Sequence, residues 1–450
     1  MIDLTDFLAE IPEWKQYYTV DEIHQKTKEN AEEYPEITYL NLGKSTKGDN
    51  IDCLKIGEGK YNALIHGFPN SEEPIGGNLL DYFARRLAED SETCEAIDYT
   101  WYLIPCSDPD GARLNESLQK GPHTPLNFSL NYYRTPTCIT PEWCFPFRFG
   151  PLDLNRPTAE TRALMSLMDR MDFHFVSSLH MMKWGGITYQ VPHVCTELYG
   201  ALWDSASRYG GFPRKRPGTT VAPGVSVAYY LTVARGYLRQ WSSGNTNIEP
   251  ITGCYIYEYG QMRNPFMFMM IPECTFWYDP RMWNDTPTEE PIGESLKKAQ
   301  DIVEDVQGFM LDTWNKALPY LKTMTPFKFK YEKMMEPLIT KHTNVSNPVL
   351  RFDNDTHQRK ASVAEQVAIE GREVAFRMTH LGGLKRVLDA ETEKNSVIDE
   401  LQDAVYEKIM AYDKRLNRDF DVKINPIKNN VGMMISSIIH SAIYAKNRQP

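Results

Sequence analysis

The sequence has no run of apolar residues long enough to cross a membrane. Its longest apolar tract, Val431 to Ala445, is interrupted by Ser436, Ser437, His440 and Ser441, whereas a spanning helix needs ~20 mostly apolar residues. The first residues, Met1 to Asp6, lack the basic and apolar regions of a secretory leader. A cytoplasmic protein with no membrane partner is the expectation. The Asn-x-Ser/Thr sequons at Asn115, Asn127, Asn284, Asn344 and Asn354 are then read as chance. Basic residues are not in excess: 49 Lys and Arg face 60 Asp and Glu, for a net charge of −11. That balance excludes a nucleic-acid role resting on bulk electrostatics. The eight cysteines (Cys53, Cys94, Cys106, Cys138, Cys144, Cys195, Cys254, Cys274) contain no CxxC pair, so they read as reduced thiols. No internal repeat is visible.

What is present is a strand–helix alternation. Val20 to Tyr34 reads as a charged amphipathic helix. Thr38–Leu42 and Ile51–Ile56 alternate like half-buried strands around the turn-rich stretch Gly43 to Asn50. Tyr61–Ile65, Tyr99–Pro105, Phe173–Leu179 and Phe266–Ile271 are further strand candidates. Such alternation predicts an α/β fold with a mixed, largely parallel central sheet flanked by helices. Aromatics crowd between Phe266 and Trp283, either as core or as an apolar wall. After the Pro- and Glu-rich connector Thr286 to Ser295 the pattern turns helical, at Ile302–Leu321, Ser362–Leu388 and Val397–Tyr412. The polar stretch Lys341 to Lys360 lies between them. The expected division is residues 1–295 as the main domain and 296–450 as a helical C-terminal extension.

The most informative stretch is His66-Gly67-Phe68-Pro69-Asn70-Ser71-Glu72-Glu73-Pro74. It follows a predicted strand and precedes a predicted helix, the place where α/β sheets build their sites. Five landmarks accompany it: Gly43-Lys44-Ser45, Asp108-Pro109-Asp110-Gly111, Asp153-Leu154-Asn155-Arg156, and His180 and Glu273, each after an apolar run. Together, over roughly Val20 to Asp285, they resemble the M14 zinc carboxypeptidase family. The resemblance implies zinc as cofactor, with Glu73 and His180 among its ligands and Glu273 as general base. It implies that Asn155 and Arg156 grip a substrate's terminal carboxylate, and that a tyrosine, Tyr257 among Tyr255, Tyr257 and Tyr259, covers the site. Arg113 and Arg134 are both candidates for the oxyanion-stabilising arginine.

Catalytic zinc takes three protein ligands and leaves one position for water. It lowers the water's pKa and polarises the scissile carbonyl, while a carboxylate such as Glu273 takes the water's proton. A guanidinium such as Arg156 can hold a carboxylate bidentately. The family's His-x-x-Glu motif, however, falls on Asn70 and Glu73. An amide oxygen is a poor zinc ligand beside an imidazole. Three readings stay open: His66 supplies the missing imidazole, Asn70 or a water completes a weakened site, or the metal site is defunct. The leading expectation is a zinc carboxypeptidase-like metallohydrolase cleaving an amide bond beside a free carboxylate in a peptide or acyl-amino acid. The alternative is a non-catalytic relative that binds peptides or a partner.

Overall fold

The computed structural model describes residues 3–149, 152–212, 220–222, 224–227, 242, 253–341, 354–393 and 395–450. Most of the polar stretch after Lys341, with Asn344 and Pro348, lies outside these residues. Helix Val20–Glu33 comes first, fixed by a capping box between Thr19 and Glu22. Strands β1 (Ile37–Lys44), β2 (Asn50–Ile56), β3 (Tyr61–His66) and β4 (Tyr99–Ile104) follow. A hairpin of β5 (Phe147–Phe149) and β6 (Leu152–Leu154) then precedes β7 (Phe175–Ser178) and β8 (His180–Trp184). Next come β9 (Thr188–Val191), β10 (Thr220–Ala222), β11 (Val225–Val227), β12 (Phe268–Met269) and β13 (Ile271–Tyr278). Strand β14 (Pro287–Pro291) precedes the helical last third, within which β15 (Lys360–Ser362) and β16 (Lys423–Ile424) are short additions.

Two six-stranded sheets result. The first has the order β1-β2-β4-β3-β7-β12, antiparallel at β1, β2 and β4 and parallel from β4 to β12. The second runs β10-β11-β9-β13-β16, with β8 also paired to β13. The chain passes from the first sheet to the second twice, each time through one residue: Leu179 between β7 and β8, and Met270 between β12 and β13. Both connecting residues are fully buried. This is why Phe266 to Ile271 reads as one strand in the sequence yet divides in space, and why Glu273 lies inside β13 and not after it.

Side chains alternate across the first sheet as the pleat requires. Ala63, Ile65, Trp101 and Leu103 join the larger core, while Leu64, Tyr102, Ile104 and Val176 join a second cluster that includes Leu164, Leu167 and Met168. The helix Ile75–Glu89 is buried along most of its length. The helical last third is not set apart from this core. One hydrophobic cluster runs from Leu4 to Ala445, and helix Ile427–Lys446 packs on helix Ile75–Glu89, helix Thr196–Arg208, β7 and β13. The Tyr99 hydroxyl donates to Ala442 O at 2.8 Å, and Asn430 Nδ2 donates to Thr275 O at 3.2 Å. No helix among the described residues is long and apolar enough to cross a membrane.

Helix Val363–Asp389 begins at a Ser362–Glu365 capping box and packs against helices Ile292–Ala317, Ser396–Asp419 and Pro125–Asn131 and against β8. Gly382 allows the contact with helix Pro125–Asn131: a Cβ there would lie 1.7 Å from Ser129 O. Through Phe376 this helix forms one wall of the candidate site.

Candidate active site

The loop after β3 is compact because two glycines cross. A Cβ on Gly67 would lie 2.5 Å from Gly76 Cα and 2.5 Å from Pro105 O. Phe68, fully buried, has φ of 52°, a left-handed conformation that costs a bulky residue free energy and tends to occur at functional sites. This fold-back buries Asn70, Ser71, Glu72 and Glu73.

Across from the loop stand His180 and Glu273, direct partners in the parallel pairing of β8 and β13. A cavity of about 270 Å³ is lined by Asn70, Glu73, Arg134, Glu142, Trp143, His180, Met181, Met182, Lys183, Tyr255, Glu273 and Phe376. At its polar end the Asn70 amide nitrogen lies 3.0 Å from Glu73 Oε1 and 3.2 Å from His180 Nδ1. His180 Nδ1 is 2.9 Å from Glu73 Oε2, and His180 Nε2 is 3.4 Å from Glu142 Oε1. Burial works against the His180 imidazolium, but Glu142 and Glu73 outweigh it and hold its pKa well above the usual range. Burial raises the Glu142 carboxyl in turn, and His180 brings it below the ordinary value. The Tyr255 hydroxyl donates to Glu142 Oε2 at 2.9 Å.

Beside this group, buried Glu72 holds two cations. Its Oε1 accepts from Arg134 Nη1 at 3.1 Å and from Lys183 Nζ at 3.4 Å. The Lys183 ammonium also lies over the rings of Tyr132 (4.9 Å), Phe376 (5.1 Å) and Phe128 (5.6 Å). Arg134 reaches Glu73 as well, at 3.8 Å.

The structure thus gathers Asn70, Glu73, Arg134, His180 and Glu273 at one cavity. It places the other sequence candidates elsewhere. His66 is fully buried at the end of β3, with Nδ1 3.3 Å from Ser107 Oγ and no hydrogen bond to Glu73 or His180. Its Nε2 has no hydrogen-bond partner, and burial lowers its pKa to about 4. Arg113 sits in a half-exposed network with Asp49, Asp21 and Glu116, because Asp49 in the Gly43–Asn50 turn and Asp21 in the first helix converge on it. Asn155 and Arg156 are exposed after the β5–β6 hairpin and do not line the cavity. Tyr257 lies within helix Ile256–Gln261, where its hydroxyl accepts from Gln261 Nε2 at 2.7 Å. The three tyrosines do not form a strand: Tyr255 is the N-cap of that helix, and it is Tyr255 that reaches the cavity.

Sequence reasoning missed Glu142, Glu72 and Lys183. Glu142 comes from a short 3₁₀ turn, Pro141–Trp143, which carries no periodic signal. Lys183, a lone charge in Met181-Met182-Lys183-Trp184, was the one visible hint, since burying an unpaired ammonium is costly.

Whether these residues suit zinc is decided by their donor set. Asn70 stands where a third strong ligand would be needed, and in either amide orientation it offers a donor or a weak oxygen. Both ring nitrogens of His180 already face carboxylates. Among the described residues no group of three or more His, Cys, Asp or Glu side chains is placed to hold a metal ion. The residues present do not fit a three-ligand zinc centre.

Comparison with known proteins places this geometry in context. The chain is 29% identical over 117 residues to zinc carboxypeptidase A 1 of Anopheles gambiae, a stretch covering 24% of this chain and 27% of that one. It is 29% identical over 105 residues to carboxypeptidase B of Astacus astacus, covering 22% and 35%. The matched stretches therefore span about a third or less of those relatives' length. The crystal structure of carboxypeptidase A from Helicoverpa armigera is similar with a TM-score of 0.38 at 14% identity, over 58% of this chain and 65% of that chain. The family described as zinc carboxypeptidase matches residues 23–273, more than half of the sequence. The chain belongs to the zinc carboxypeptidase family, M14.

Proposed function

We propose that this chain uses the carboxypeptidase scaffold to bind a peptide or acyl-amino acid, without the zinc centre of its family. The observation that carries this reading is the Asn70 amide, 3.0 Å from Glu73 and 3.2 Å from His180, standing where a third strong ligand would be required. The cavity remains, and its residues suit recognition. Trp143, Met181, Met182 and Phe376 offer apolar surface, and Glu142, Glu273 and the Asn70 amide offer hydrogen-bonding groups. Glu73 and Glu142 fix the His180 ring from both sides, and Arg134 and Lys183 hold the loop carboxylate Glu72.

A second reading, retained hydrolysis, is favoured by one observation: Glu273 is in direct register with His180 and lines the cavity, where a carboxylate could take a proton from water. The two readings separate on metal content and turnover. Protein equilibrated with zinc and then dialysed is expected to hold far less than one zinc per chain by elemental analysis, while Asn70→His is expected to approach one. Stoichiometric zinc in the unaltered protein, with cleavage of a blocked dipeptide that Glu273→Gln abolishes, would overturn the binding reading in favour of the second.

A further inference from the structure

Among the described residues, the helical last third contributes one side chain to the cavity lining, Phe376 of helix Val363–Asp389. On that helix Val374, Ala375 and Arg377 are buried, whereas Phe376 is only half-buried. Among the described residues it joins none of the hydrophobic core clusters. Its ring lies 5.1 Å from the Lys183 ammonium and 4.3 Å from the Arg372 guanidinium. An aromatic side chain placed at a cavity and outside the core is a contact surface for a ligand.

The helix is anchored on both sides of that residue. Before it, Trp184 Nε1 donates to Val367 O at 3.2 Å, and a Cβ on Gly371 would lie 2.5 Å from the Trp184 ring. After it, Gly382 abuts Ser129 O, and Arg386 Nη1 donates to Leu114 O at 2.9 Å and to Asn131 O at 2.6 Å. Phe376 is therefore a fixed wall. The polar end of the cavity is at His180, and the wall stands beside Lys183, further along β8. At ~3.3 Å per strand residue, the two are separated by about 10 Å. An extended ligand covers ~3.5 Å per residue, so an acyl-amino acid needs ~7 Å and an acylated tripeptide ~14 Å. The volume of about 270 Å³ agrees, since pockets that enclose drug-sized ligands run from ~300 to ~1,000 Å³.

We propose that Phe376 sets the length of ligand that the cavity accepts, admitting an acyl-amino acid or an acylated dipeptide and excluding longer peptides. This inference rests on the reading that the cavity receives a peptide or acyl-amino acid, and it narrows that reading to the short members of the class. It gives the helical last third a part in ligand selection, through one ring at the far end of β8 from His180.

The test is calorimetric titration of the full chain with acetyl-phenylalanine and with two longer probes, one extended by two alanines at the amino side and one at the carboxyl side. In the unaltered protein at least one extension should weaken binding about tenfold or more, the cost of forcing atoms against a packed wall. Phe376→Ala should bring short and extended compounds within about threefold of each other, and Phe376→Leu should give an intermediate ratio. A ratio is insensitive to a uniform loss of affinity, and binding of the short compound serves as the folding control. Equal binding of all three compounds by the unaltered protein would overturn the length limit and leave the cavity reading standing. A preference that persists undiminished in both variants would take the limit away from Phe376. Loss of the short compound in both variants would make the ring a requirement for binding as such, and would overturn the limit likewise. If none of the three binds the unaltered protein, the cavity reading itself fails and the length limit with it.

Discussion

Glu72→Gln tests the electrostatic organisation of the site most directly. The wild-type carboxylate is fully buried and accepts from Arg134 at 3.1 Å and Lys183 at 3.4 Å. Glutamine keeps the volume and removes the charge. Arg134 then retains Glu73, at 3.8 Å, and Lys183, itself 4% exposed, loses its ion pair and keeps aromatic faces and the more distant charge of Glu73. Removing one partner of a buried ion pair costs about 3–5 kcal/mol, because the stranded charge cannot return to water. An unfolding entropy of about 2 cal/mol/K per residue, over a chain of 450 residues, converts this to a fall in Tm of about 3–5 °C. The continuous core is expected to make the chain melt as one unit.

The pH dependence supplies a second, independent signature. Burial pushes the Glu72 carboxyl up, but Arg134 and Lys183 outweigh burial and hold it below the ordinary glutamate value. A depressed carboxylate stabilises the fold fully above its unfolded pKa, about 4.3. That contribution is lost as pH falls through the lower folded value. The gap between wild type and variant, measured by scanning calorimetry, should be full at pH 7 and close progressively below about pH 4.3. A Glu72→Gln protein melting within about 1 °C of wild type at pH 7 would refute the reasoning. So would a gap that widens on acidification.

Two further predictions concern the scaffold. Gly382→Ala and Gly308→Ala put the same methyl group into helix interiors with opposite outcomes. The first drives it against Ser129 O and should lower Tm by several degrees. The second meets nothing within 4 Å and should gain about 0.5–1 kcal/mol, read as a small rise in Tm; a reversal of that order would contradict the helix packing. Asp108 is buried, and burial raises its carboxyl to about 6. Its ionisation opposes folding above that pH, and the cost lifts as pH falls from about 6 towards 4, a change of about 3 kcal/mol. Asp108→Asn should flatten that part of the stability profile in denaturant titrations, and an unchanged profile would rule Asp108 out as its source.

The sequence made the first sheet legible. Ala63-Leu64-Ile65 and Tyr99 to Ile104 combine β-formers with flanking turns, and the amphipathic helices Val20–Glu33 and Ser396–Asp419 follow from their period. His180 and Glu273 could be found because apolar runs lead into both. The break at Met270 was invisible, since nothing in Phe268-Met269-Met270-Ile271 distinguishes one strand from two that change sheets. Tyr255, Tyr257 and Tyr259 misled for a related reason: a two-residue period in a six-residue segment fits a strand or a capped helical turn. Glu142 was illegible because a 3₁₀ turn has no pattern, and its importance comes from a histidine distant in sequence. The packing of helix Ile427–Lys446 against the main sheet depends on contacts such as Asn430 with Thr275 O, which no local signal announces.

The paired passage of the chain through Leu179 and Met270 has a consequence for how this site could change its chemistry. His180 and Glu273 are held opposite one another by backbone pairing, a constraint indifferent to which side chains stand there or to what they coordinate. The placement of His180 against Glu273 is therefore inherited from the ladder and not from what the cavity holds. Position 70 lies in the loop after β3, outside that pairing, so an exchange of asparagine for histidine there is expected to leave the pairing in place. Catalyst and receptor, on this scaffold, would share the same pairing of His180 with Glu273.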